Sequence, residues 1–297
     1  MQRFMALATL VIVSISAGPA VAQEKLAWKF KEGDKFYVEE TATVKQTTKV
    51  LGNTELKEEI QTNLMSFLVM KKTADGVVLV QTIEETKIDR IQGKGDPGEA
   101  DTLEKMRGAK FTITLNNKGQ ITKFEGYDDF IAKLSKGDAE VEKVLRAILP
   151  ADIFKKTAEQ SFSILPGKAV SKGDTWDREM SISMGPLGSL KVKNSFKYEG
   201  KEKEMDVISK TGTLTYQAPK GDAAGLPFKV LNGTMKAENA KGRMLFDNKL
   251  GRPSQDKTSM VIRGALTMEI LDMQVTVEID SEQSSVTRVS TKKPGTK

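Results

Sequence analysis

Residues 165–176 are Leu165-Pro166-Gly167-Lys168-Ala169-Val170-Ser171-Lys172-Gly173-Asp174-Thr175-Trp176. This segment separates the most helix-like part of the chain from a second run of strand-like sequence. Its last four residues resemble Gly33-Asp34-Lys35-Phe36, because in both places a Gly-Asp turn leads an aromatic residue into an extended segment. The strand-like runs on both sides of a helix-like part predict an α+β protein dominated by β structure. We expect two antiparallel, curved β-sheet units, related by duplication and joined by a helical connector.

The side chains that are missing exclude several function classes. The 297 residues contain no Cys and no His. Disulfides, thiol nucleophiles and thiolate zinc sites are therefore excluded, together with the commonest general base and transition-metal ligand. The sequence predicts no metal site and no cofactor. Without a recognisable catalytic motif, we expect a protein that is not an enzyme.

The first 22 residues have the pattern of an export signal. Arg3 precedes an apolar run over residues 4–16, and Ala20-Val21-Ala22 has the small residues of a cleavage site. The run is shorter than the roughly 20 residues of a membrane span. We therefore expect a mature chain that starts at Gln23, has no transmembrane segment and is exported to a bacterial periplasm or the extracellular space.

The remaining sequence changes its periodicity twice. Apolar residues recur at helical spacing at Tyr127, Phe130, Ile131 and Leu134, and again at Val141, Val144, Leu145 and Ile148. Strand-like segments lie on both sides, and Val275, Val277 and Ile279 alternate with polar residues near the end. The predicted organisation is a signal peptide (1–22), a first β unit (23–126), a helical connector (127–164), a second β unit (165–290) and a basic flexible tail (291–297).

The charges make nucleic acid an unfavourable partner. Removing Arg3 with the signal leaves 45 basic and 40 acidic residues, or +5, and the two signs are mixed along the chain. Aromatic residues are only 6% of the sequence, whereas nucleic-acid binders concentrate basic charge and add aromatics for stacking. The Gly-x-Gly-x-x-Gly spacing at 93–98 is best interpreted as a loop, since Pro97 lacks an N–H for a phosphate.

Methionine is the compositional feature that suggests a ligand. Eight of the eleven methionines after residue 22 follow Trp176. Methionine adapts to irregular apolar shapes and is common at promiscuous binding surfaces, although ordinary core packing explains the same residues more simply. The candidate ligand-binding residues are Met180, Met184, Met205, Met244, Met260, Met268 and Met273; Met235 belongs to the same group by position.

The segment 165–176 has the form Leu-Pro-x-x-x-Val-x-x-Gly-Asp-x-Trp. With the export signal and the long flanking strands, it resembles a planctomycete-type family of uncharacterised exported bacterial proteins. That resemblance implies no activity and no functional residues. More remotely, curved antiparallel strands covered by helices are similar to envelope lipoprotein-carrier and tubular lipid-binding folds, which is an analogy of fold class only.

Three functions follow as hypotheses. The leading one is an exported, non-enzymatic protein that binds an apolar or lipid-like ligand between sheet and helices. The alternative is a structural or protein-interaction module of the bacterial envelope, with an envelope protein as its partner. The third is a hydrolase that uses two carboxyl groups within about 10 Å of each other.

Overall fold

A computed structural model describes residues 23–95, 98–219 and 228–295. The predicted signal peptide, the middle of the 93–98 loop and most of the 219–227 loop lie outside these ranges. The strands are β1 Lys35–Val50, β2 Asn53–Lys72, β3 Gly76–Gln92, β4 Lys110–Asn116, β5 Ile121–Glu125, β6 Thr175–Ser183, β7 Ser189–Glu202, β8 Met205–Gln217, β9 Phe228–Gly233, β10 Lys236–Asp247, β11 Arg252–Ile270 and β12 Met273–Ser290. The helices are α1 Glu99–Met106, α2 Tyr127–Ser135, α3 Ala139–Ile148 and α4 Ala151–Phe162. The predicted β-dominated α+β class is confirmed.

The described strands form one antiparallel sheet in the order β5-β4-β3-β2-β1-β12-β11-β10-β8-β7-β6, with β9 paired to β11. The two strand runs on either side of the helices are thus the two halves of a single sheet. The strands β1 and β12 join them, in a register that extends from Tyr37↔Ser290 to Val50↔Val277. This pairing connects residues more than 220 positions apart in the sequence, so no local sequence pattern predicts it.

The sheet is strongly curled, and α4 lies at its seam. The edge strands β5 and β6 stand at opposite ends of the strand order, yet both contact α4. One face of the sheet is therefore concave and partly covered by helix. The predicted alternation in β12 is confirmed, since Val275 is buried and its neighbours Gln274 and Thr276 are exposed. None of the helices in the described ranges is long and apolar enough to cross a membrane.

The two Gly-Asp turns have the same hydrogen bonds. In the first, the N–H of Gly33 donates to Val69 O and the N–H of Val69 donates to Asp34 O, each at 2.9 Å. In the second, the N–H of Gly173 donates to Tyr198 O at 2.7 Å and the N–H of Tyr198 donates to Asp174 O at 2.9 Å. Both glycines have a positive φ, which a residue with a Cβ adopts only at a cost. The shared geometry supports duplication, which stays a prediction, as do the domain boundaries.

The aromatic residues after these turns occupy matching places as well. Phe36 stacks on its cross-strand partner Phe67 with 5.1 Å between ring centroids, and Trp176 stacks on its partner Phe196 at 5.6 Å. Each pair belongs to a separate buried cluster, and Trp28 packs against both clusters. The concave face near these turns is therefore solid core.

The connector forms the predicted helices, but the helices differ in how many of their residues are buried. Phe130, Ile131 and Leu134 of α2 are buried, as the periodicity predicts. No residue of α3 is buried, and Val141 and Val144 remain exposed although they belong to its apolar stripe. The helix α4 buries only Phe162 fully. Its cover of the concave face is thus partial, and this leaves space beneath it.

Candidate functional site

The candidate site is a cavity between α4 and the second half of the sheet. Its volume is about 640 Å³, within the range typical of small-molecule sites. The strands β6, β7, β8, β10 and β11 form its floor. Its apolar lining consists of Ile164, Met180, Val192, Phe196, Leu214, Ala237, Ala240 and Met260.

The apolar floor follows from strand register. Met180 of β6 is the Cα partner of Val192 of β7, which is in turn the partner of Leu214 of β8. Partners in neighbouring antiparallel strands project from the same face of a sheet. Three residues that are far apart in the sequence therefore form one apolar row on the concave face.

Arg178 lies at the margin of this first cavity and donates hydrogen bonds to three backbone carbonyl groups. Its Nε donates to Ser163 O at 2.7 Å, Nη1 donates to Asp177 O at 2.8 Å and Nη2 donates to Leu165 O. Burial lowers the pKa of this guanidinium below its ordinary value. The residue fastens the end of the connector to β6, and this contact fixes the position of α4 over the floor.

A second cavity of about 460 Å³ adjoins the first. It lies on the concave face of β1, β2, β11 and β12, and it shares Thr258, Met260 and Ser285 with the first. Its remaining lining is mainly polar: Glu40, Gln46, Lys57, Glu59, Gln61, Asn63, Gln283 and Ser284, with Ala42 and Val44. The two cavities together form a trough with an apolar arm and a polar arm.

Lys210, in the lining of the apolar arm, forms an ion pair with Asp256, which lies two residues before Thr258 on β11. Nζ of Lys210 lies 2.6 Å from Oδ2 of Asp256, and each side chain is 19% exposed. The lysine reaches Asp256 across Gly242 of β10, where an added Cβ would lie 2.4 Å from Cε of Lys210. Glycine at this position therefore leaves room for the lysine stem to pass over β10.

The carboxyl groups beside this lysine are poorly solvated. Burial raises the pKa of Asp256 by more than Lys210 lowers it, and Oδ1 of Asp256 is buried without a hydrogen-bond partner. Burial also raises the pKa of Glu40, and the charge of Asp256 raises it further. Glu40 and Asp256 are both Cα partners of Thr287, so about 10 Å separates their Cα atoms.

Glu59 lies in the polar arm in a different environment. Its carboxylate is 3.0 Å from Nη2 of Arg90 and 3.2 Å from Nζ of Lys57, and it accepts a hydrogen bond from Gln61 at 2.6 Å. Burial raises the pKa of Glu59, but these hydrogen bonds and positive charges outweigh it and leave the pKa below its ordinary value. Arg90 also binds Glu99, which ties α1 to the sheet.

The candidate methionines do not come together in one site. Met180 and Met260 line the first cavity. Met244 is buried in the core around Trp176, whereas Met273 is 61% exposed at the start of β12. The half-buried Met184, Met205, Met235 and Met268 are not in the lining of either arm. The role of the methionines as a group stays a prediction.

Sequence reasoning missed most of the trough. Phe196, Leu214, Lys210 and Glu40 belong to ordinary alternating strands, and nothing local distinguishes them from other concave-face residues. These residues could have been identified as trough residues only from the strand pairing, which places β1 beside β12 and β8 beside β10.

The fold and trough define a class of protein: a curled antiparallel sheet with helices over its concave face and an internal cavity. A family model described as a family of unknown function (DUF6263) matches residues 59–251, about two thirds of the chain. The chain belongs to that family. This confirms the expectation of an uncharacterised family, while the 165–176 motif as its signature and the planctomycete-type source stay predictions. No curated protein matches the chain.

Solved structures with some likeness are distant. Lipovitellin, in a structure titled for its lipid-protein interactions, has 10% identity and a TM-score of 0.46 over 91% of this chain and 26% of its own. This chain thus spans about a quarter of the lipovitellin chain. OccAB4 of Acinetobacter baumannii has 6% identity and a TM-score of 0.24 over 88% and 99% of the two chains. An outer membrane channel from Pseudomonas putida F1 has 6% identity and a TM-score of 0.23 over 89% and 98%. Likeness this weak supports no argument about function.

Proposed function

We propose that this chain is an exported, non-enzymatic protein that binds an apolar or lipid-like ligand between its sheet and α4. The observation that carries the proposal is the cavity of about 640 Å³ with its apolar row of Met180, Val192 and Leu214. Export to a bacterial periplasm or the extracellular space rests on the sequence of residues 1–22. The absence of Cys and His supports a role without catalysis.

The first test fills the cavity. Val192 is half-buried and lines the apolar arm, so Val192→Trp places a large ring where a ligand chain would lie. Lys191 is its exposed neighbour on the opposite face of β7, which makes Lys191→Trp the matched control. Residues 23–297 are titrated with a fluorescent fatty-acid probe. We expect the wild type and Lys191→Trp to bind, and Val192→Trp to lose at least tenfold in affinity.

Two results contradict the proposal. A folded wild-type protein that binds no apolar probe has no such function. Equal binding by Val192→Trp and the wild type places the ligand somewhere other than this cavity. Circular dichroism of both tryptophan variants establishes that they are folded before the comparison is made.

The alternative of an envelope interaction module has its own supporting observation. Leu51, Leu271 and Met273 are exposed by 73%, 79% and 61% at the turns of two neighbouring hairpins. Exposed apolar residues that cluster at one end of a protein are typical of contact sites. This hypothesis is favoured if the cavity is empty and an envelope protein is retained by wild type but not by a Leu271→Ser variant.

The carboxylate-hydrolase hypothesis has Glu40 and Asp256 as its candidate pair. Their side chains belong to the same face with one strand between them, and the pKa of each is raised by burial. Asp256 is not in the lining of either cavity, and Glu59, the other acid in the lining of the polar arm, is ion-paired with Lys57 and Arg90. The hypothesis predicts glycan hydrolysis by the purified protein that Glu40→Gln abolishes.

A further inference from the structure

We infer that the polar arm of the trough holds the head group of the ligand and that Glu40 selects a cationic head group, such as a primary ammonium, on a single-chain amphiphile. This inference rests on the proposed function, because it assumes that a chain occupies the apolar arm. It adds the chemistry of the other end of the ligand and names the residue that determines specificity.

The first argument is the shape of the trough. The apolar arm and the polar arm meet at Thr258, Met260 and Ser285, which line both. A purely apolar ligand would leave the polar arm without a partner, whereas an amphiphile matches each arm with the part of the molecule that suits it. The trough therefore fits one apolar chain with one polar end.

The second argument is an account of the charges around the polar arm. The carboxylate of Glu59 is neutralised by Lys57 and Arg90, and that of Asp256 by Lys210. Glu40 has no ion-pair partner within 4.0 Å among the described residues.

The third argument is that the ion pair of Lys210 is with Asp256 and not with Glu40. Its ammonium lies 2.6 Å from Asp256, and Gly242 lets its stem pass over β10 toward that residue. The cluster formed by Lys210, Asp256 and Glu40 contains two acidic side chains and one basic side chain. When both acids are ionised, one negative charge is therefore left over, and Glu40 places it at the wall of the polar arm.

A cationic head group supplies the missing charge. An ammonium beside Glu40 would form a charge-assisted hydrogen bond in a poorly solvated place, where such bonds are stronger than in water. A carboxylate head group would add a third negative charge to the same cluster. The guanidinium of Arg178, at the margin of the apolar arm, already donates to three carbonyl oxygens.

The test compares three probes with the same chain and different head groups: dodecylammonium, 1-dodecanol and dodecanoate, each below its aggregation concentration and near neutral pH. Residues 23–297 are titrated by isothermal calorimetry as wild type, Glu40→Gln and Glu39→Gln. Glu39 lies on the face of β1 opposite to that of Glu40 and is 4.0 Å from Arg288. It is therefore the matched control for charge.

We expect the wild type and Glu39→Gln to bind dodecylammonium about tenfold or more tightly than 1-dodecanol, the effect of one charged hydrogen bond. Glu40→Gln should lose this preference and keep its affinity for 1-dodecanol, which also shows that the variant is folded. Dodecanoate should bind least tightly to the wild type.

The outcomes separate the two proposals. If none of the probes binds, the proposed function itself fails. If 1-dodecanol binds but dodecylammonium is not preferred, or if dodecanoate binds most tightly, the head-group inference fails and the proposed function stands. An equal change in Glu39→Gln and Glu40→Gln also overturns the inference, because it attributes the preference to net charge alone.

Discussion

Replacing Lys210 with methionine removes a positive charge from the wall of the apolar arm while keeping most of the apolar stem. Asp256 then loses its partner at 2.6 Å, and Glu40 loses the one basic charge that lowers its pKa. Removing one partner of a buried ion pair costs about 3–5 kcal/mol. Because both side chains are 19% exposed, water offsets part of this cost, and we expect Lys210→Met to lower the free energy of unfolding by roughly 2–3 kcal/mol near neutral pH.

The stability lost in Lys210→Met should depend on pH. Burial already raises the pKa of folded Asp256 above its unfolded value, and the loss of Lys210 raises it further. An acid with a raised folded pKa binds its proton more tightly when folded, so its destabilising effect grows as the pH rises from the unfolded pKa through the folded pKa. The deficit of Lys210→Met should therefore be largest near neutral pH and should shrink toward pH ~4, because protonation of Asp256 removes its unpaired charge as the pH falls through the raised pKa.

Urea unfolding at both pH values measures the deficit. Asp256→Asn and the double variant Lys210→Met/Asp256→Asn complete the cycle, and the double variant should recover most of the stability lost by Lys210→Met. A deficit below about 0.5 kcal/mol, or one of equal size at both pH values, would refute the reasoning that the pair is buried and coupled.

Two further predictions concern the core and the turns. Asp206 is fully buried, accepts a hydrogen bond from Tyr198 at 2.6 Å and has a pKa raised by burial, so Asp206→Asn should gain stability relative to wild type as the pH rises from about 4 to 7. Urea unfolding of both proteins across that range checks this, and a constant difference contradicts it. Gly33→Ala and Gly173→Ala should each cost about 1 kcal/mol or more, because both glycines have positive φ and open space around them. Thermal unfolding checks this, and a loss at only one glycine would contradict the equivalence of the two turns.

Local sequence signals predicted the elements whose cause is local. The alternation at the end of the chain predicted β12, and the apolar spacing from Tyr127 predicted α2. Each of these depends on residues within one element. The class and the order of elements were predictable for that reason.

The trough was not predictable, because it depends on which strands pair. The sheet is continuous only because β1 meets β12, and Lys210 meets Asp256 only because β10 lies between β8 and β11 with Gly242 at the crossing point. Methionine clustering in the sequence did not identify the site either. Because of their positions along the strands, Met244 is buried in the core and Met273 is exposed at the end of a hairpin.

The central claim is that the space between α4 and the sheet holds an apolar or amphipathic ligand. The most direct measurement is mass spectrometry of an organic extract of residues 23–297, purified without detergent from a periplasmic expression host, beside the same extract of Val192→Trp. The account predicts a near-stoichiometric apolar or amphipathic molecule in the wild type and its loss in the variant. A well-folded wild-type protein whose extract is empty, or a variant that retains the molecule in equal amount, would contradict it.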